Sequence, residues 1–170
     1  MVPSKFKTQE GKLKKILIAA VLVVLSLFSG LAAQAQQSVF TNQTPQVQTE
    51  TDGAAGEYGM VFTANAAGEV TALKFWKSTS DTGTHTGRLW RVSDKAVLAT
   101  AVFVSETGSG WQTQNLASSV PLTVGTQYLV TVSTPHFYGY TNRGLQNVIT
   151  SGNLSTVVGA NGLWNSSPGV

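Results

Sequence analysis

The sequence predicts an all-β protein, an antiparallel β-sandwich of jelly-roll-like form that follows an amino-terminal signal-peptide helix. Between residues 57 and 134, short runs of β-branched and aromatic residues recur about every ten residues, and turn-forming residues separate them. Several runs alternate apolar and polar residues, which is the pattern of a half-buried strand. After residue 35, no stretch sustains the repeat of about 3.6 residues that marks an amphipathic helix.

The first 35 residues have the composition of an export signal. Five lysines precede residue 16, and residues 16–33 carry no charge. Ala33-Gln34-Ala35 supplies the pattern of small residues that a signal peptidase accepts. We therefore expect residues 1–35 to be a signal peptide, cleaved after Ala35, that exports a bacterial protein to the cell surface or the medium and leaves it free of the membrane. The alternative is an uncleaved anchor, because the apolar run approaches the length that spans a bilayer.

Loss of this signal changes the charge balance. The whole chain has eleven Lys and Arg residues, eight Asp and Glu residues and a formal net charge of +3. Residues 1–35 hold five of the basic residues and one of the acidic residues, so six basic and seven acidic residues remain, with a net charge of −1. Residues 36–170 have no basic stripe, and we expect no nucleic-acid partner. The chain has no cysteine, which excludes disulfides, a thiolate nucleophile and cysteine-bound zinc.

The sandwich domain is expected over residues 57–170, after a polar segment at 36–56 in which only Val39-Phe40 resembles a short strand. Within residues 70–77, Leu73 and Phe75 alternate with Lys74 and Trp76, so Trp76 faces outward if Phe75 faces the core. Strands are expected at 58–64, 70–77, 88–92, 96–104, 111–116, 120–124 and 127–133.

The carboxy-terminal third has a weaker strand pattern. Residues 136–140 (HFYGY) place four aromatic side chains, with histidine counted among them, in a stretch that we expect to be a loop. Beyond it Gly, Asn and Ser are frequent, and only 148–149 and 157–158 are weak strand candidates. Because residues 166–170 read as a turn, we expect the sandwich to lack its final strand and to expose a sheet edge.

Three segments together resemble one bacterial family, the domain of unknown function numbered 4082. They are LKFWK (73–77) leading into TGTHTGRLW (82–90), LAT (98–100) with ETGSGWQ (106–112), and residues 121–132. The similarity extends over residues 39–170. It implies an exported β-sandwich-like module that stands beside immunoglobulin-like, fibronectin-like or carbohydrate-active domains in surface proteins. It implies no settled activity and no catalytic residues, and family members usually continue into an aromatic-rich final strand.

His85, within the first segment, raises the question of catalysis or metal binding. A metal site needs several convergent ligands, whereas the nearest acid is Asp81 and the other histidine is His136. We therefore expect no metal site and no enzyme activity. The simpler interpretation is structural, with Gly83 and Gly87 supplying unusual backbone angles while His85 fills the bend and forms one hydrogen bond. Ligand contact by His85 stays open, as does a structural calcium ion held by Asp81 and backbone carbonyls.

The aromatic residues indicate a carbohydrate-binding surface. Sugar rings stack on Trp or Tyr, and their hydroxyls bond amide and guanidinium groups. The alternative is that the HFYGY rings pack on the core, where Trp90 and Trp111 are also expected. The residues that we expect to contact a ligand are Trp76, Tyr138, Tyr140, His136 and Arg143, with His85 as a further candidate.

The leading hypothesis is a non-catalytic, exported module that binds carbohydrate or mediates adhesion at the cell surface. A second hypothesis is a structural spacer or assembly module without a ligand, which joins a partner chain by strand addition at its free edge. A third is a hydrolase accessory or glycan-active domain. Against the third stands the absence of a recognisable acid pair, triad or metal cluster in the sequence.

Overall fold

The computed structural model describes residues 35–165, with side chains up to residue 159. This part of the chain forms ten strands and no helix, so the all-β prediction is confirmed. Residues 35–165 also lack any helix of the length and apolarity needed to cross a membrane. The predicted signal peptide, residues 1–35, lies outside the described residues except for Ala35. The predicted turn at 166–170 also lies outside them. The strands are β1 (Val47–Thr51), β2 (Gly56–Ala64), β3 (Gly68–Lys77), β4 (Thr86–Arg91), β5 (Ala96–Val102), β6 (Gly110–Leu122), β7 (Gln127–Thr134), β8 (Phe137–Tyr140), β9 (Thr150–Ser151) and β10 (Leu154–Asn165).

The described strands form three sheets in which every pairing is antiparallel. The largest sheet has six strands in the order β5-β4-β7-β2-β10-β9. Its centre is the pair β2–β7, where Tyr58 lies opposite Val132 and Met60 opposite Val130. The other sheets are the two-stranded ribbons β3–β6 and β1–β8.

The hydrophobic core lies between the six-stranded sheet and the β3–β6 ribbon. Leu73 and Phe75 of β3 are buried in it, whereas Lys74 and Trp76 point to the other face of the ribbon, as the alternation predicts. The buried side chains of this core are Phe62, Ala64, Leu73, Phe75, Leu89, Ala101, Phe103, Leu122 and Tyr128.

Five predicted strands correspond to β2, β3, β4, β5 and β7, within two residues at each end. The predicted break between 116 and 120 is wrong, because β6 runs without interruption through it. The extra residues of β6 are taken up in a bulge, since Val70 pairs with Val120 but Ala72 already pairs with Asn115.

The strand predicted at Val39-Phe40 is also wrong. Val39 is buried and the Phe40 ring stacks on Trp111, with 6.0 Å between ring centroids. These two apolar residues therefore pack against the domain from an irregular segment. The strand within the polar segment 36–56 is β1, which lies further along the chain.

The loop predicted at HFYGY is wrong, because residues 137–140 form β8 and pair with β1. Gly139 makes this possible: a Cβ there would lie 2.9 Å from Trp76 Cδ1 and 3.3 Å from the carbonyl oxygens of Val47 and Gln48. Gly139 thus permits β8 to pass directly over the indole of Trp76.

The weak strand pattern after residue 141 underestimated the strand content there. β10 pairs with β2 over residues 154–165, so hydrogen bonding within the sheet outweighs the low β-propensity of its Gly and Asn residues. Its register slips between Thr156 and Asn161, where the four residues 157–160 of β10 lie opposite the single residue Val61 of β2. This bulge includes Gly159, whose φ is +79°.

Candidate functional site

A cleft of about 1060 Å³ is lined by β2 and β7 of the large sheet, by β3, by β8 and by the segments at 40–45 and 141–149. Its volume suits a ligand of several hundred daltons, since pockets for small molecules run to roughly 1,000 Å³. Most of the lining is apolar. The walls come from residues far apart in sequence, so the cleft exists only in the folded chain.

Aromatic rings form one wall of this cleft. Tyr138 lies against Tyr58, with 4.5 Å between ring centroids, and 6.2 Å from Tyr140. Tyr138 and Tyr140 are two residues apart on β8 and therefore project from the same face of the ribbon. Trp76 meets Trp111 edge to face at 5.7 Å, directly across the β3–β6 pairing.

Two buried polar atoms of the cleft residues have no hydrogen-bond partner within the described part of the chain: Trp76 Nε1 and Thr134 Oγ1. Two other indoles are satisfied, because Trp90 Nε1 donates to Thr131 Oγ1 at 3.0 Å and Trp111 Nε1 donates to the Gln43 carbonyl oxygen at 2.9 Å. An unpaired buried polar group costs about 1–3 kcal/mol. Both atoms are buried, so a ligand or water that bonds them and recovers that free energy must first displace the side chains that cover them.

The hydroxyl of Tyr138 donates to both carboxylate oxygens of Asp52 at 3.1 Å. Burial, together with this hydrogen bond and the negative charge of Asp52, raises the pKa of Tyr138 to about 12. The phenol is therefore protonated at neutral pH and its hydrogen is directed at Asp52. The ring face, and not the hydroxyl, is the part of Tyr138 that the cleft can offer to a ligand.

Lys74 ties the irregular segment before β1 to the outer face of β3. Its ammonium group donates to the carbonyl oxygens of Thr41 at 2.7 Å and Phe40 at 3.3 Å, and it lies 4.5 Å from the ring centroid of Trp111. Burial lowers the pKa of Lys74. Although Lys74 lines the cleft, its hydrogen-bonding capacity is largely used within the protein.

Four of the six predicted contact residues line this one cleft: Trp76, Tyr138, Tyr140 and Arg143. His136 does not line it. That side chain is exposed and lies edge to face against Phe137 at 6.5 Å. The alternation around Trp76 and the density of rings in HFYGY were enough to predict Trp76, Tyr138 and Tyr140 as candidates.

Sequence reasoning missed several other lining residues. Phe40 and Trp111 were assigned to a strand and to the core, yet both line the cleft on the outer face of the β3–β6 ribbon. The pairing of Trp111 with Trp76 follows from the β3–β6 register, which no local pattern fixes. Tyr58 was read only as part of a strand.

His85 cannot contact a ligand in this structure, because its side chain is fully buried. Its Nε2 lies 2.8 Å from Asp81 Oδ2, and its Nδ1 lies 2.9 Å from Glu106 Oε1. Lys77 Nζ completes the group at 2.8 Å from Glu106 Oε2. We call these four side chains the buried charged network. Since an ionised carboxylate only accepts hydrogen bonds, the geometry fits an imidazolium that donates from both nitrogens.

The sequence predicted one hydrogen bond for His85, whereas the structure shows bonds to two carboxylates. The unusual backbone angles predicted for Gly83 and Gly87 are absent, since neither glycine has a positive φ. Both glycines allow close packing instead. A Cβ at Gly83 would lie 2.3 Å from Pro135 Cγ, and one at Gly87 would lie 2.9 Å from Leu73 Cδ1. The Asp81 carboxylate, considered for calcium, is occupied by His85 and by the Gly83 amide at 3.4 Å. Within residues 35–165, no set of three histidine or acidic side chains is arranged to hold a metal ion.

The structure therefore defines an all-β domain of antiparallel sheets with an aromatic-lined cleft. The family model described as domain of unknown function (DUF4082) matches residues 42–170, and the chain belongs to this family. This confirms the resemblance seen in the three sequence segments. No curated protein and no solved structure shows a significant match to the chain. The matched range includes every cleft residue named above except Phe40.

Proposed function

We propose that this chain is an exported, non-catalytic module, a jelly-roll-like β-sandwich, that binds carbohydrate in the cleft and so contributes to adhesion at the bacterial surface. The observation that supports the proposal is the pairing of aromatic walls with the unpartnered Trp76 Nε1 and Thr134 Oγ1. A saccharide offers apolar C–H faces for the rings and hydroxyls for the two polar atoms. A purely apolar ligand would leave both atoms unpaired.

The balance of forces favours weak, shape-selective binding. Stacking on rings such as Tyr140, which is 41% exposed, removes apolar surface from water. Each neutral hydrogen bond adds about 0.5–1.5 kcal/mol. Association entropy opposes these gains, so we expect a single saccharide site to bind in the micromolar to millimolar range, which suits an adhesive surface carrying many copies.

The cleft does not favour hydrolysis. Glycoside hydrolases commonly place two carboxylates across the scissile bond, whereas none of the described residues that line this cleft is Asp or Glu. The described acids nearest to a histidine, Asp81 and Glu106, belong to the buried charged network and do not line the cleft. Binding without bond cleavage is the function that this arrangement supports.

A second candidate, assembly by strand addition, is favoured by β5. This strand forms an end of the six-stranded sheet and pairs only with β4 among the described strands. About half of the surface of Val97 and of Val102 is exposed, at 49% and 50%. An added strand from a partner chain would cover these valines and satisfy the free backbone groups. Self-association in sedimentation experiments, abolished by Val102→Lys, would favour this candidate.

A glycan-array screen of the purified protein tests the carbohydrate proposal. Trp76→Phe keeps an aromatic ring and removes the unpartnered N–H, and Tyr140→Ala removes an exposed ring. Trp90→Phe is the matched control, because Trp90 does not line the cleft. We expect binding to a defined glycan class, weakened in the first two variants and retained in the third. An array without a bound glycan, or equal binding by all variants, would contradict the proposal.

A further inference from the structure

The charged residues that line the described part of the cleft are all positive. Its described lining residues include two cations, Lys74 and Arg143, and no carboxylate. Lys74 is held by backbone carbonyls, as described above. The guanidinium of Arg143 is exposed and forms no hydrogen bond or ion pair within residues 35–159. It is therefore the cation that remains available for a ligand.

The other two arginines of the chain behave differently. Arg88 pairs with Glu57 at 3.1 Å, and Arg91 pairs with Asp94, with Nε 3.0 Å from Oδ1. Arg88 of β4 reaches across β7 to Glu57 of β2, and Arg91 reaches Asp94 in the turn between β4 and β5. Arg143 thus differs from them in position and in pairing, and it is the one that lines the cleft.

Arg143 is also held in place by its backbone. Its φ of +54° lies in the left-handed region, which is costly for a residue with a side chain. The turn around it is closed by the Gly144 amide on the Thr141 carbonyl at 2.9 Å, and by the Gln146 amide on the carbonyl of Arg143 itself at 3.0 Å. The Gln46 amide donates to Thr141 Oγ1 at 3.1 Å and ties this turn to the start of β1. The guanidinium is therefore presented from a fixed turn.

The acidic groups of the β1–β8 ribbon lie toward the opposite end of the ribbon. Glu50 pairs with Tyr138, and Asp52 follows β1 and accepts the Tyr138 hydroxyl. Arg143 lies beyond the other end of β8, three residues after Tyr140. An anionic ligand group is repelled from the Asp52 end and attracted to the Arg143 end, with the exposed ring of Tyr140 between them.

We infer that the ligand is an acidic saccharide, whose carboxylate or sulfate ester is bound by Arg143 while its ring stacks on Tyr140. This inference rests on the proposed carbohydrate function and adds the charge class of the sugar. Arginine suits this task because its planar guanidinium can donate two parallel hydrogen bonds to a carboxylate or sulfate. The remaining sugars of the oligosaccharide then extend toward Trp76 and Thr134.

The test compares matched sugars on the purified protein by isothermal titration calorimetry. The probes are 1,4-linked tetragalacturonate and tetraglucuronate, each with its carboxyl-reduced neutral counterpart, together with sulfated and unsulfated galactan oligosaccharides. We expect an acidic member to bind at least about tenfold more tightly than its neutral partner, since a hydrogen bond to a charged group is worth tenfold or more. Arg143→Gln should abolish this preference, and added salt should reduce it.

Arg91→Gln is the matched control and should leave the preference unchanged. Circular dichroism of Arg143→Gln shows whether the domain remains folded, and Arg143→Lys, which keeps the charge, should retain part of the preference. Selective binding of the uronates or of the sulfated oligosaccharides supports the inference and identifies the anionic group. Equal affinity for acidic and neutral partners, or a preference that survives Arg143→Gln, overturns the inference and leaves the carbohydrate proposal standing. Failure of every probe, together with a negative glycan array, overturns both.

Discussion

Replacement of His85 by alanine tests whether the buried charged network stabilises the fold. The substitution leaves the Asp81 carboxylate, whose side chain is 2% exposed, with only the distant Gly83 amide as a partner. Glu106 keeps its ion pair with Lys77. Removal of one partner from a buried ion pair costs about 3–5 kcal/mol, and loss of the ring that packs on Phe75 at 4.7 Å adds a cavity. We therefore expect the free energy of unfolding to fall by at least about 3 kcal/mol.

Urea unfolding, followed by tryptophan fluorescence at pH 7, measures this change. His136→Ala is the matched control: this histidine is exposed, and the change should stay within about 0.5 kcal/mol. The double variant Asp81→Ala/His85→Ala removes the orphaned carboxylate as well. It should be more stable than His85→Ala alone, because the uncompensated buried charge is gone. A loss below about 1 kcal/mol for His85→Ala, or a double variant less stable than that single variant, would contradict a stabilising role for the buried charged network.

Three further predictions concern the packing and the cleft. Gly139→Ala should destabilise the fold by about 1–3 kcal/mol in urea unfolding, because its Cβ would meet Trp76 Cδ1 at 2.9 Å; an unchanged midpoint would contradict this packing. Tyr138 should ionise near pH 12 in absorbance titrations, and Asp52→Asn should lower that pKa. Because its folded pKa exceeds the ordinary value of 10, the stability it contributes is present below pH 10 and lost between pH 10 and about 12; ionisation near 10 in the folded protein would contradict the assigned environment. Leu89→Ala, at a fully buried position, should cost about 2–5 kcal/mol in the same urea assay, and a loss below 1 kcal/mol would contradict its place in the core.

Much of the strand order in the first two thirds of the fold could be predicted from alternation and turn residues. The pattern LKFWK assigns Leu73 and Phe75 to one face of β3 and Trp76 to the other, and the structure has them so. Such a pattern depends only on neighbours along one strand. It does not say what covers the second face, and here β8 lies over Trp76 through Gly139.

The remainder of the site depends on contacts between distant segments. Asp81 lies four residues from His85 and was noticed as its nearest acid, but Glu106 is twenty-one residues away and reaches the ring only through the fold. Likewise, Phe40 meets Trp111 across more than seventy residues of sequence. The sequence correctly indicates an aromatic cluster at HFYGY, but the loop predicted there is wrong because residues 137–140 form β8. The pairing partner of this stretch, β1, is a polar strand with no apolar alternation.

The most direct test of carbohydrate binding in the cleft is the indole N–H resonance of Trp76 during titration with the glycan that binds best on the array. Trp76 Nε1 is unpartnered among the described residues of the cleft, whereas Trp90 does not line the cleft and its Nε1 is already bonded to Thr131 Oγ1. We expect the Trp76 resonance to shift with saturation as the glycan is added, while the Trp90 resonance stays in place. An unchanged Trp76 resonance at saturating glycan would contradict carbohydrate binding in this cleft.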